Sequence, residues 1–295
     1  NPRKRYLAYV PVVAYNVYDG LMGGLAFHNW RLPERPFTFM IAPTYGFKSK
    51  EIGGLGHLSY RAGLSGNEKE KGDSWVEFGV DTKSFNLFYN EIFDEQLRFT
   101  KLKPYVKYRA ENPVDNNFFE VELRSSLITE EFLDFDTAGV ASVAIDNNNY
   151  LEGIISFEKR QTINPYSFKL TVESGKRDIF SDLDQSYILI KPEINFSYTY
   201  ASRKNIDFRL FAGIGISDFT TYNTRGFFNL AGQGYSGFND YKYEDWFFAR
   251  NDDEGLFSHQ ISMRDGGFKV AIPSSQSANG YNSNSLLVAL NLKAD

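Results

Sequence analysis

The 295 residues carry a formal net charge of -5, and that acidic balance lacks the basic stripe needed to displace phosphate counterions, which sets nucleic acid aside as a partner. No run of ~18 apolar residues could cross a bilayer as a helix. Cysteine is absent while Phe reaches 27 and Tyr 19, a combination that suits an oxidising compartment and rings placed at a lipid-water boundary.

Taken in chain order, period-two alternation predicts twelve strands, at 6–18, 22–30, 37–48, 53–63, 75–89, 97–110, 117–131, 149–160, 166–176, 186–201, 205–217 and 283–294. The third is the most regular: Phe37, Phe39, Ile41, Pro43, Tyr45 and Phe47 alternate with Thr38, Met40, Ala42, Thr44, Gly46 and Lys48. On the sixth, Lys101, Lys103, Lys107 and Arg109 share one face; on the seventh, Glu120, Glu122 and Arg124 do. Opposite signs on adjacent strands stabilise each other when they face one another inside an enclosed, wet interior. The tenth and eleventh repeat the device, with Lys191 and Glu193, then Asp207 and Arg209, opposite Ile, Phe and Tyr.

Strands of a soluble β-sandwich usually run ~5 or 6 residues, whereas a tilted strand crossing a bilayer needs ~9 to 11. The predicted strands have the longer extent. Their apolar faces hold almost no charge in mid-strand and end in Tyr or Phe, as at Tyr45, Phe47, Tyr108, Tyr198 and Tyr200. The expected fold is therefore an all-β, antiparallel transmembrane barrel of about twelve strands or slightly more, one domain over 1–295, with the lipid bilayer as its first partner. Odd-numbered connections include 132–148 and the very long 218–282, and even-numbered ones are shorter. With short turns inside and long loops outside, that parity puts the chain in a bacterial outer membrane with Asn1 in the periplasm. The chain starts at Asn1 without a signal segment, and a removed upstream portion is expected.

Chemistry-bearing motifs are sparse. The only histidines are His28, His57 and His259, and no His-Glu-x-x-His pair is present to hold zinc. His28 and His57 fall on the interior face of neighbouring early strands, where a hydrogen-bonded structural histidine is the expected role. Nothing in the residue order specifies a catalytic, cofactor or metal site, and acidic stretches at Asp134 with Asp136, Asp146 and Asp252–Glu254 read as solvated loops. The expected lumen charges are Lys101, Lys103, Lys107, Arg109, Glu120, Glu122, Arg124, Lys191, Glu193, Asp207 and Arg209, and of these Lys101, Lys103, Lys107 and Arg109 also suit a selectivity strip for small solutes. Interleaved signs and the large inward residues Tyr105 and Phe211 favour a filled interior instead. A connection as long as 218–282 is commonly functional or self-packed. Its aromatic part, with Tyr235, Phe238, Tyr241, Trp246 and Phe247, is expected to cap or plug the barrel or meet a partner, fixed by Arg250 and the residues up to Phe268.

Several segments together are familiar: Tyr18-Asp19-Gly20, Gly24 to Asn29, Ala42-Pro43 with Tyr45-Gly46, Arg250-Asn251 with Glu254-Gly255, Asp265 to Lys269, and Asn291 to Asp295. They resemble the carboxy-terminal outer-membrane region of proteins whose front half is an aminopeptidase-N-like (gluzincin) zinc metallopeptidase. The resemblance implies a covalently linked periplasmic domain upstream, no peptidase residue within this chain, and a barrel that continues past Asp295. The function expected is a scaffold that anchors that domain and docks other outer-membrane proteins. The alternatives are a small-solute channel or transporter and an accessory subunit of an outer-membrane assembly or secretion complex.

Overall fold

A computed structural model describes residues 7–32, 34–64, 73–90, 93, 95–135, 139, 141–179, 183–217, 230–232, 240–246, 263–268 and 282–294. The long strands are β1 (Ala8–Asn16), β2 (Gly20–His28), β3 (Phe37–Gly46), β4 (Ile52–Gly63), β5 (Asp73–Asn90), β6 (Glu95–Asn112), β7 (Asn117–Phe135), β8 (Ala141–Lys159), β9 (Tyr166–Ile179), β10 (Leu183–Ala201), β11 (Lys204–Ser217) and β14 (Leu286–Ala294). They form one antiparallel sheet in sequence order, and the short β12 (Leu230–Ala231) and β13 (Asn282–Ser283) pair separately. All twelve strands predicted from alternation are present, and among the described residues there is no helix.

Alternation sorts the side chains onto two unlike faces. One carries large exposed apolar residues, such as Phe37, Ile41 and Tyr45 on β3, Leu123 and Leu127 on β7, Leu151 and Ile155 on β8, and Leu286 to Leu292 at every second position on β14. The other holds the charges and the buried core. That core is a single cluster reaching from Met22 on β2 to Ala289 on β14. Ten strand spacings of ~4.8 Å would separate those strands by roughly 48 Å in a flat sheet, so the sheet curls around its charged face. β1 and β14 are its edges, and no ladder joins them among the described residues.

Two inward tyrosines show how tightly this face is filled. Tyr105 stands opposite Gly79, and Tyr187 opposite Gly175. A Cβ at Gly79 or Gly175 would lie 2.4 or 2.3 Å from the facing ring, so only glycine lets each ring lie flat over the partner backbone.

The connection expected at 132–148 is not a loop. β7 and β8 stay paired through it, with Phe132 opposite Ala144 and Phe135 opposite Ala141. Asp146 and the Asn147–Asn149 run look like loop residues because both faces are polar there, yet main-chain pairing continues through them. One of the two long odd-numbered connections thus disappears, leaving only the segment between β11 and β14. What replaces it is an extension of strand length, since β5 to β8 and β10 run 18 or 19 residues. His28 and His57 are also not on neighbouring strands, because β3 lies between β2 and β4, with Met40 opposite both.

A polar row crosses the outward face of β5 to β8, with Val143 and Ile145 exposed beyond it. Ser84, Thr100, Thr129 and Asn147 are successive partners across β5, β6, β7 and β8, a polar row whose members bond laterally, Ser84 Oγ to Thr100 Oγ1 at 3.0 Å and Thr129 Oγ1 to Asn147 Oδ1 at 3.5 Å. On the side of this row towards the β6–β7 turn, the outward residues of β7 are Leu127, Ser125, Leu123, Val121 and Phe119. Eight residues at ~3.3 Å, tilted by ~40°, span roughly 20 Å.

Candidate functional site

The charged face is organised as a ladder of ion pairs that follows the strand order. Lys107 and Arg109 on β6 stand opposite Glu122 and Glu120 on β7, the pairing their alternation predicts, at 3.2 and 3.4 Å. Arg124 on β7 binds Glu152 on β8 at 2.8 Å, Lys191 on β10 binds Glu173 on β9 at 3.3 Å, and Arg209 on β11 binds Glu193 on β10 at 2.8 Å. Asp207 accepts from Asn205 Nδ2 at 3.0 Å. Strand pairing fixes the register, and register brings each cation to its anion.

Three pieces of the β11–β14 connection lie against this face. The deepest is Asp240–Trp246. Lys242 Nζ reaches Glu152 Oε1 at 2.6 Å and Glu173 Oε2 at 2.7 Å, while Glu244 meets Lys101 at 2.8 Å and Lys103 at 3.3 Å. Lys83 Nζ donates to three main-chain carbonyls of the segment, those of Tyr243 (3.2 Å), Glu244 (2.5 Å) and Trp246 (3.1 Å). Tyr243 stacks on Phe99 with centroids 3.9 Å apart, Trp246 meets the same ring edge-on, and the Tyr241 hydroxyl donates to Glu173.

The segment holds its own shape by a tight turn. Asp240 accepts from the amides of Glu244 (2.8 Å) and Asp245 (3.0 Å), and Tyr243 adopts φ 52°, a left-handed conformation that costs a bulky residue on the order of 1–2 kcal/mol. The Phe99 stack and the Lys83 bonds offset that strain. Arg264 braces Asp245 at 3.3 Å, and the Asp265-Gly266 backbone accepts from Arg209 (2.9 Å) and Asn291 (3.1 Å).

Electrostatics fix the ionisation of the two insert charges. Burial pulls the Lys242 ammonium towards its neutral form, but Glu173 and Glu152 outweigh it and hold the pKa above the ordinary lysine value. Burial likewise works against the Glu244 carboxylate, and Lys101 and Lys103 overcome it, leaving its pKa far below the usual range.

A second polar group lies on the same face, where β4 meets β5. His57 Nδ1 is 2.7 Å from Asp81 Oδ1, His57 Nε2 is 3.2 Å from Ser59 Oγ, and Lys103 holds the other oxygen of Asp81 at 3.3 Å.

No family model, curated protein or solved structure matches the chain. Geometry alone therefore carries the functional reading.

Every strand charge singled out in the sequence lies on the charged face. Of the six connection residues singled out, Tyr241 and Trp246 pack against it, whereas Tyr235, Phe238, Phe247 and Arg250 lie outside the described residues. Lys242 and Glu244 were missed, although they make the ionic contacts; the signal available was their flanking by Tyr241, Tyr243 and Trp246. Glu152 and Glu173 were missed because two carboxylates opposite each other become visible only once register is known. Among the described residues no cluster of His, Asp and Glu is arranged to hold a metal ion, and Asp134 and Asp146 lie within β7 and β8.

Proposed function

We propose that the curled sheet closes as an outer-membrane β-barrel whose apolar face meets lipid, whose charged interior is filled by the Asp240–Trp246 segment, and whose role is to anchor rather than to conduct. The observation that carries this reading is the inversion of the two faces: large apolar side chains stand bare while Lys101, Glu152 and Glu173 are 2%, 1% and 0% exposed. A water-soluble fold does the reverse, because each Å² of exposed apolar surface costs about 25 cal/mol. In hydrocarbon that cost vanishes.

The polar row Ser84–Thr100–Thr129–Asn147 supports one boundary of the lipid band, and the aromatic ends at Tyr108, Tyr198 and Tyr200 support the other. The apolar stretch between them, roughly 20 Å, is close to the ~25 Å of an outer-membrane barrel. The hairpins β5–β6 and β7–β8 run on beyond the polar row, as do the extracellular parts of such barrels, and this supports a periplasmic position for the opposite end. The inner face is packed by the connection, and this favours a filled scaffold over an open channel.

The cysteine-free sequence allows a direct test. In vesicles, a water-soluble maleimide is expected to label Asn147→Cys, and to label Leu123→Cys and Leu151→Cys only after denaturation. Equal labelling at all three, or a monodisperse chain in buffer without amphiphile, overturns the membrane reading. The anchoring of a metallopeptidase-like domain rests on the motif resemblance. It requires a His-Glu-x-x-His sequence upstream of Asn1 in the full reading frame.

A further inference from the structure

His57, Ser59 and Asp81 are brought together by ordinary strand geometry. His57 and Ser59 are two residues apart on β4 and so share a face, and Asp81 is the direct partner of His57 on β5. The distances run in the order a nucleophile needs: Ser59 Oγ to His57 Nε2 at 3.2 Å, and His57 Nδ1 to Asp81 Oδ1 at 2.7 Å. An ionised carboxylate only accepts, so Nδ1 carries the proton and the Nε2 lone pair faces the serine hydroxyl. The opposite tautomer would make a structural bond but no base. Lys103, 3.3 Å from the second oxygen of Asp81, favours the ionised carboxylate that fixes this tautomer.

Ser59 is only 6% exposed, and it borders a cavity. A cavity of about 490 Å3 lies between β3, β4 and the β2–β3 connection, and Ser59 and His57 line it together with Trp30, Leu32, Arg31 and Thr38. Its volume suits a small organic molecule, with apolar groups at Trp30 and Leu32 and a charged wall of both signs, Arg31, Arg35 and Arg61 with Glu34 and Glu77. Thr38 Oγ1, 2.7 Å from Ser59 Oγ, is a second hydroxyl beside the attacking atom, free to donate once the Ser59 proton is turned to His57.

We propose that Ser59, His57 and Asp81 form a hydrolytic site for short carboxylic esters, with Ser59 as nucleophile, His57 as base and Asp81 as positioning residue. Ser59 Oγ bonds to the ester carbonyl carbon as its proton passes to His57 Nε2. The carbon–alkoxy bond then breaks, and the leaving alcohol takes that proton. Water next adds to the acyl carbon, giving a proton to Nε2; the Ser59 Oγ–acyl bond breaks, the serine recovers the proton, and the acid departs. The negative oxygen is met by the Thr38 hydroxyl rather than by a pair of backbone amides, so a slow enzyme is expected.

The test uses the folded chain in detergent, an alkyl fluorophosphonate probe and p-nitrophenyl butyrate. The expected result is a single phosphonyl adduct on Ser59 and ester turnover. Ser59→Ala should abolish both, and His57→Ala should lower both by about 100-fold or more, the scale of a positioned general base. Asp81→Asn should lower turnover and displace the acidic limb of its pH profile, which a merely structural Asp81 would leave in place. Heat-modifiable gel mobility shows that each variant is folded. A folded wild type without the adduct, or labelling that survives Ser59→Ala, overturns the proposal. Ser59→Cys supplies an independent measure in a chain with no other thiol: its iodoacetamide alkylation below pH 7 should be at least tenfold faster with His57 than with His57→Ala, and equal rates also overturn the proposal. Neither readout depends on which face meets lipid.

Discussion

Glu152 and Glu173 face each other as direct partners across the β8–β9 pair, both buried, and a lysine from a segment some seventy residues further on inserts its ammonium between them, 2.6 and 2.7 Å away. Like charges directly opposite destabilise a sheet, and buried ones without a counterion are driven to neutrality. Arg124 answers Glu152 and Lys191 answers Glu173, and Lys242 adds the cation that meets both carboxylates at once. Lys242→Met should destabilise the folded chain by about 3–5 kcal/mol, the scale for breaking one side of a buried ion pair. The triple variant Lys242→Met, Glu152→Gln, Glu173→Gln should recover most of that loss. Urea unfolding in detergent measures both, and a single variant as stable as wild type would show that the insert is not held by this contact.

The same segment should respond to acid. Glu244 has a folded pKa well below its unfolded value because Lys101 and Lys103 overcome the effect of burial, so its stabilising contribution is complete above about pH 4.3 and is lost as pH falls further. Lys242 has the opposite sign: its raised pKa gives a contribution present below about pH 10.4 and lost as pH rises through the folded value. The segment should stay seated between these limits. Planar-bilayer conductance is expected to be low and flat from pH 5 to 7 and to rise below pH 4; a rise already at pH 6 would contradict the assigned contacts.

The strands were legible in the sequence because their two environments differ along every strand with period two, so Phe37 to Phe47 or Ile206 to Ile216 declare strand and face together. Opposite charges on β6 and β7 were legible from adjacency, whereas the pairing of Lys107 with Glu122 and of Arg109 with Glu120 came with the register. Where both faces are polar, as at Asp146 to Asn149, the period vanishes and pairing by main chain alone continued β8 unannounced. The insert was legible only as aromatic density: which residue of 218–282 meets which strand depends on how the whole sheet curls, and no local period encodes it. His57, Ser59 and Asp81 were hidden for a related reason, since His-x-Ser on one strand reads as plain alternation until the register supplies Asp81.

Tyr187 over Gly175 offers a test of inner packing that leaves the charges in place. A Cβ on Gly175 would come within 2.3 Å of the tyrosine ring, whose hydroxyl donates to Glu173 at 2.7 Å, so Gly175→Ala must tilt the ring and disturb that bond. Overpacking of this kind costs roughly 1–3 kcal/mol. Gly175→Ala combined with Tyr187→Phe should lose less than the two single changes added, because the strained bond is already gone. Strict additivity in a double-mutant cycle would deny the contact.

The proposed lipid contact is tested most sharply by position along β7. Leu123 points outward in the middle of the apolar stretch, and Thr129 points outward from the polar row six residues on, on the same strand and the same face. In a soluble sheet, an arginine at an exposed site costs little at either position. In a bilayer the cost depends on depth, about 2–4 kcal/mol at the midplane and about 0–1 near the interface. Leu123→Arg should thus lower the folding free energy into vesicles by the larger amount, while Thr129→Arg stays within about 1 kcal/mol of wild type. If both arginines are tolerated equally in vesicles, the polar row does not mark a membrane boundary and the apolar face must be covered by something other than lipid.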